Sequence, residues 1–389
     1  MSNSFKKVSE IISATPALKE QLINAGVYWA HRPKDNNRNI PVETLEEHIE
    51  LVLRYFNQLI EAHQLDDAID RIIVGLYERI DAETGNYIKL LFVNTIVYHD
   101  YGKINERFQI DKMNNFHFKN SPLKQSFIGS THSGLGAFIY LTKHLNEIIT
   151  QHKSNPLLIT ACIHLSYSIF KHHSKRFDDD CIYTIGFAEW KAKYDFGDVR
   201  NFLSTYLQAY QFDVNPKIIQ LIGNNDFFNH PAYQGYKKSF SLYALCRLNF
   251  SLLTAADYLA TNEYMNQLPM AYFGILSKER IDDLYRNVSQ NEWLNEAEEK
   301  RNYNKAVLEQ IDSYEPQNPK IANGYNLNIL RQEMAIEVIR NIRKYYQSNL
   351  FYIEAPTGGG KTNLSALAAM ELLKIYKGQY NKVFYVFPF

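Results

Sequence analysis

Cysteine is nearly absent from this chain: Cys162, Cys181 and Cys246 are the three in 389 residues. Their odd number and wide spacing exclude a disulfide framework and a cysteine-based zinc knuckle. They leave a reducing cytoplasm as the expected compartment. Net charge is lacking too. Lys and Arg number 42 and Asp and Glu 42, for a formal charge of +0, so any nucleic-acid surface has to be local. No apolar run approaches the ~20 residues of a membrane span, and residues 1–7 lead into no apolar signal core. A membrane partner is therefore not expected. Sustained two-residue alternation is missing from residues 45–286, and no internal repeat is present. Histidine, finally, stops at His230: all 12 lie at or before it.

What is present suffices for two domains and a sizeable core. Hydrophobic residues make up 46% and aromatics 14%, which places the chain among globular proteins. Apolar spacing predicts a helix over residues 45–63, with Leu45, Ile49, Val52, Phe56 and Ile60 on one face. Thr44 and Glu47 form a capping box at its start. Further helices are predicted over 87–98, stopping near Gly102 as a C-terminal cap, and over 136–149, 156–171 and 240–260. Residues 1–285 thus read as an all-helical domain. Residues 286–318 are polar and charge-rich, with Glu298, Glu299, Lys300 and Arg301, and read as a helical and loop connector. Residues 319–389 read as a helix over 330–346, a strand over 350–355, a glycine loop, a helix over 362–376 ended by Gly378, and a strand over 383–387. That βαβ order is the setting of a phosphate loop. The expected fold class is mainly α, followed by an incomplete α/β segment.

Against this background stand His48, His99-Asp100, His132, His172-His173 and Asp257. Imidazole and carboxylate together make a transition-metal ligand set. Consecutive side chains diverge in mid-helix, but His99 and Asp100 close a helix, where a terminating turn can bring both to one point. Each residue also has a plainer reading. His48 lies beside the apolar stripe and, taken alone, reads first as a boundary histidine half in water. His132 reads as a solvent-facing residue at a helix start. His172-His173 read as dipole stabilisers at a helix end. Asp257 sits in a strongly apolar helix, where an unpaired carboxylate costs on the order of several kcal/mol. Lys171, Lys175 and Arg176 flank the double histidine, as a solvated helix end or as contacts to a single-stranded DNA backbone. In Thr357-Gly358-Gly359-Gly360-Lys361-Thr362, backbone amides would cradle phosphates, Lys361 would reach the β/γ-phosphates and Thr362 would ligate Mg²⁺.

The order His48, His99-Asp100-Tyr101-Gly102-Lys103, His132, His172-His173, Ala256-Asp257 resembles the HD superfamily of metal-dependent phosphohydrolases. With Tyr28-Trp29-Ala30-His31, Thr44-Leu45-Glu46-Glu47-His48 and the phosphate loop added, nearly the whole chain resembles the CRISPR-associated helicase–nuclease family of type I systems. That resemblance implies metal ligands at His48, His99, Asp100, His132, His172, His173 and Asp257. Lys103 would contact the scissile phosphate or buttress Asp100. Two divalent transition-metal ions (Mn, Fe, Co or Ni) would share Asp100 and activate water against a phosphodiester of single-stranded DNA. The resemblance further implies a RecA-like second domain, recruitment by an RNA-guided type I surveillance complex, and ATP with Mg²⁺ in the full-length helicase. Gln332 resembles the adenine-reading glutamine of superfamily 2 helicases, and Tyr385-Val386-Phe387-Pro388-Phe389 the start of the next helicase motif. The match departs at Ser174, where the family has glycine, and at Thr131 and Ser133, where it has arginine and glutamate. No Walker B carboxylate pair and no arginine finger follow within the 389 residues, so nuclease activity without ATP turnover is expected of this chain. Two other readings stand beside it: an HD phosphohydrolase of small nucleotides, and an interaction module with a degenerate site.

Overall fold

The computed structural model describes residues 5–33, 40–120, 130, 132–174, 210–211, 215–222, 239–289, 311–317, 327–376, 378–380, 382–384 and 386, and is mainly helical. The chain divides into two compact units, Met1–Ala271 and Tyr272–Phe389.

The first unit opens with α1 (Val8–Ala14) and α2 (Leu18–Gln21). Strands β1 (Trp29–His31) and β2 (Glu43–Thr44) then pair antiparallel, Trp29 opposite Thr44 and His31 opposite Glu43. This ribbon departs from the all-helical expectation, since strands of two and three residues are too short to leave an alternating pattern. From β2 the chain passes directly into α3 (Leu45–Ala62). Thr44 Oγ1 accepts from the Glu47 amide at 3.2 Å, and the Glu47 carboxylate accepts from the Thr44 amide at 2.8 Å. The expected capping box is therefore formed, and Leu45, Ile49, Val52, Phe56 and Ile60 are all buried.

Helix α4 (Asp66–Val74) places Asp66 and Asp70 at 2.6 and 2.7 Å from the buried ammonium of Lys89 on α5 (Ala82–Tyr98). Helix α5 starts earlier than the apolar pattern indicated because Asp81 Oδ1 accepts from the Thr84 amide at 2.7 Å. Helices α6 (Glu106–Asp111), α7 (Ser133–Gln151), α8 (Pro156–Lys171), α9 (Pro216–Ile222) and α10 (Phe240–Asn266) complete the described α-helices of this unit. Helix α8 is buried on every side from Leu157 to Phe170, and α5, α7 and α10 pack around it. At 27 residues α10 spans ~40 Å. It runs past the expected end at Ala260 and lies across α3 and α8. Buried Asn249 ties it to α5 by donating to Phe92 O and Thr95 Oγ1, both at 2.8 Å.

The second unit contains α11 (Lys278–Ser289), α12 (Leu327–Tyr345) and α13 (Lys361–Tyr376). Ile311, Ala335, Ile336, Ile339 and Leu364 form its core, with Ile353, Ala355 and Leu367 packed against them. Helix α13 gives way to Gly378 at φ +91°, the left-handed position expected of that glycine. The strands expected over 350–355 and 383–387 are not formed among the described residues. Phe351, Ile353 and Ala355 are half-buried and alternate with exposed Leu350, Tyr352 and Glu354, so residues 350–355 keep the two-residue burial rhythm of a strand. A strand also needs a ladder partner, and the one sheet among the described residues is the β1–β2 ribbon. Residues 385 and 387–389 lie outside the described residues. No helix among the described residues is long and apolar enough to cross a membrane.

Candidate metal centre

The end of α5 builds the centre. His99 and Asp100 follow its last turn, and residues Tyr101–Ile104 tighten into a 3₁₀ helix. Gly102 is not the C-terminal cap that its position suggested, because its φ is not positive. Its role is close approach. A Cβ there would meet His132 O at 1.9 Å and Gly136 N at 2.9 Å, while a Cβ on Gly136 would meet Tyr98 O at 2.8 Å and His99 O at 2.9 Å. The two glycines let the start of α7 lie backbone to backbone on the end of α5, which brings His132 to Asp100. His172 and His173 arrive from the C-terminus of α8, His48 from α3 and Asp257 from α10.

All seven expected ligands converge on one point, and Asp100 divides them into two groups. Around Oδ2 of Asp100 lie His48 Nε2 at 3.2 Å and His99 Nε2 at 3.5 Å. Oδ1 of Asp257 lies 3.3 Å from the same His48 nitrogen and 3.9 Å from that of His99. Around Oδ1 of Asp100 lie His132 Nε2 at 3.1 Å and His172 Nε2 at 3.6 Å, with His173 Nε2 2.8 Å from His132 Nε2. Each set offers four ligand atoms lying within 4.8 Å of one another. His48, His99, Asp100 and His172 are buried, His132 and Asp257 are half-buried, and His173 is exposed. The centre is therefore closed on the α3 side and open on the His173 side. His48 is not the boundary histidine that its neighbours suggested, because α10 covers that flank of α3.

Hydrogen bonds outside the cluster set the ring tautomers. Nδ1 of His99 lies 2.7 Å from Ile96 O, and Nδ1 of His172 2.6 Å from Ile169 O. A carbonyl only accepts, so both Nδ1 atoms carry the proton and both Nε2 lone pairs point inward. The Nε2 atoms of His48, His99 and His172 and Oδ1 of Asp100 are buried without a hydrogen bond. Such orphaned atoms cost about 1–3 kcal/mol each. A pair of divalent cations would satisfy them together, so these residues fit the metals that the donor set suggests. Burial pushes His99 and His132 down to about 4, and His173, exposed on its outer side but with its ring packed against His132 and His172, is also lowered by lost hydration and by those two neighbours, so these rings stay neutral and ligand-competent at neutral pH. His48 differs: burial opposes its charge, yet Asp100, Asp257 and Glu43 outweigh burial and hold it well above the usual histidine range. Asp100 and Asp257 remain carboxylates. Burial again opposes the charge, but Lys103 and His99 hold Asp100 down, and His48 and His99 do the same for Asp257.

Lys103 buttresses Asp100. Its buried ammonium donates to Asp100 Oδ2 at 2.7 Å and lies 3.3 Å from Ala30 O and 3.4 Å from His31 Nε2. Glu43 and His31 form a further set with His48 that the sequence pattern did not single out as ligands or partners. Their signal is the strand pairing of His31 with Glu43, which only the β1–β2 ribbon creates. Lys171 rests its ammonium over the rings of Tyr167 and Phe170, while Lys175 and Arg176 lie outside the described residues.

In the second unit the glycine loop joins residues 350–356 to α13. Gly358 and Gly360 stand at φ +80° and +81°, a region glycine enters without strain. Lys361 Nζ donates back to Ala355 O at 2.8 Å and Pro356 O at 3.2 Å. Thr357 and Thr362 are exposed, and Gly359 is buried. The contact from α12 to this loop comes from Arg331, whose guanidinium donates to Gly358 O at 2.8 and 3.0 Å. Gln332, the expected base reader, is the next residue on α12 and is half-buried.

Comparison with family models, curated proteins and solved structures gives no match to this chain.

Proposed function

We propose that the first unit is a metal-dependent phosphodiester hydrolase, a nuclease acting on single-stranded DNA, with the seven converging histidines and aspartates as its site. One observation carries this reading: a single buried carboxylate, Asp100, presents each of its oxygens to a different histidine group. Two ions, one held by His48, His99, Asp100 and Asp257 and the other by Asp100, His132, His172 and His173, would supply a water of lowered pKa and neutralise charge on the phosphodiester. The protein's own residues do the rest. His99 and His172 hold their Nε2 lone pairs inward through their backbone carbonyl partners. Lys103 fixes the Asp100 carboxylate from behind. The exposed face of His173 and the half-buried His132 and Asp257 mark where a phosphate group enters. By its motif order the chain would belong with the CRISPR-associated helicase–nucleases of type I systems, its second unit holding the start of the RecA-like motor. In that setting Gly358, Gly359, Gly360, Lys361 and Thr362 would bind ATP phosphates, and an RNA-guided surveillance complex would be the partner.

The test is incubation of the purified chain with Mn²⁺ and either circular single-stranded DNA or a panel of nucleotides. Cleavage of the circle is expected, and loss of cleavage in His173→Ala, whose exposed ring can be removed with the fold kept. Hydrolysis of nucleotides with the circle left intact would instead favour a nucleotide phosphohydrolase. No turnover and no metal uptake would favour an interaction module.

A further inference from the structure

Proton direction can be traced through the polar residues behind His48. Lys103 has donors only, and its ammonium faces three acceptors: Asp100 Oδ2 at 2.7 Å, Ala30 O at 3.3 Å and His31 Nε2 at 3.4 Å. His31 Nε2 must therefore carry a lone pair, and the ring proton sits on Nδ1. That proton goes to Glu43 Oε2 at 2.6 Å. The same oxygen of Glu43 lies at ion-pair distance from His48 Nδ1, 3.3 Å, and Nδ1 is buried with no hydrogen bond of its own, so Glu43 is the acceptor closest to meeting it. Glu43 is buried, held by the strand pairing to His31 and by its position two residues before α3. The His31 ring is fixed in turn against His48, with centroids 4.6 Å apart, and against Tyr264 at 5.9 Å.

We infer that Glu43 is the positioning residue of the His48-side metal, with His31 orienting Glu43. The carboxylate holds the proton on His48 Nδ1, so that when a cation displaces the Nε2 proton of the charged ring, Nε2 is the nitrogen that presents its lone pair between Asp100 and Asp257. His99 and His172 have backbone carbonyls for this task; His48 has a carboxylate, and a carboxylate raises ligand basicity further. His31, Glu43 and His48 also satisfy the distance test for a third metal group. That alternative fails on the tautomer: Lys103 takes the lone pair of His31 Nε2, so Nδ1, the atom that faces Glu43, carries the proton and has no lone pair for an ion. The inference rests on the two-metal reading above.

The experiment is titration of the apoprotein with Co²⁺, followed by its visible absorption and by metal content, in the native chain and in Glu43→Gln. Two ions are expected in the native chain. In Glu43→Gln one should bind about 10–100-fold more weakly with an altered spectrum, and the other, held by His132, His172 and His173, should be unchanged. His31→Phe keeps the Glu43 charge but removes its donor; it should weaken the same ion by less, and it serves should Glu43→Gln fail to fold. Two ions bound with native affinity in both variants would overturn the inference while leaving the two-metal reading standing. Equal weakening of both ions, with a lowered melting temperature, would assign Glu43 a structural role only and also overturn it. No Co²⁺ uptake by the native chain would overturn the two-metal reading and this inference together.

Discussion

Asp100 is the residue on which the centre turns, and its replacement acts on stability as well as chemistry. Its partner Lys103 is buried, at 2.7 Å. Removing the carboxylate leaves an uncompensated ammonium, and breaking a buried pair costs about 3–5 kcal/mol. Asp100→Ala is therefore expected to melt well below the native protein, and its loss of cleavage alone would not prove a catalytic role. Asp100→Ala combined with Lys103→Met removes both charges and should recover a large part of that stability without recovering cleavage. Thermal melts of the single and double variants check this. A double variant no more stable than the single one would show that the pair does not carry the cost. Residue types and order made the seven candidate ligands legible in the sequence. Lys103 was legible as a position and ambiguous as a role, because a lysine next to a ligand aspartate can face substrate or carboxylate.

At the scale of elements, the crossing of α5 and α7 sets the distance between His132 and Asp100. A Cβ on Gly102 would fall 1.9 Å from a backbone oxygen of His132, which cannot swing away as a side chain could. Gly102→Ala should force the start of α7 outward and destabilise the protein by about 1–3 kcal/mol. If the proposed two-metal centre holds, it should also reduce bound metal from two ions to one, since His132 belongs only to the group around Asp100 Oδ1. Metal analysis of the refolded variant, with a melt, tests this; two ions at native affinity would show that the crossing tolerates the methyl group. The helices themselves were largely readable. The capping box at Thr44, the apolar stripe of α3 and the span of α8 follow from local pattern. The cap at Asp81 lengthened α5 beyond its apolar stretch, and the ribbon of β1 and β2 was too short to read.

For the molecule as a whole, the two candidate ligands address different units. Every candidate metal-ligand residue lies within Met1–Ala271, and the glycine loop lies within Tyr272–Phe389. A ligand stabilises what it binds, by about 2.7 kcal/mol at a concentration 100 times its Kd. Calorimetry is therefore expected to show Mn²⁺ raising one transition, and ADP with Mg²⁺ raising another through Lys361. The second shift should vanish in Lys361→Ala and survive in His173→Ala. A single transition moved by both ligands would show that the units unfold together.

The sequence by itself determined the helices with strong apolar periodicity, the identity of the seven metal-ligand candidates and the glycine loop. These depend on residue type and on spacing within one element, which are local properties. Tertiary structure alone decided which oxygen of Asp100 each histidine faces, the burial of His48 beneath α10, the backbone contact at Gly102 and the Lys103–His31–Glu43 chain behind His48. Each of these joins residues from different elements, brought together by the packing of helices around α8. Local spacing carries no information about such distances. The same holds for residues 350–355, whose alternating burial is local while the ladder that would make them a strand is not.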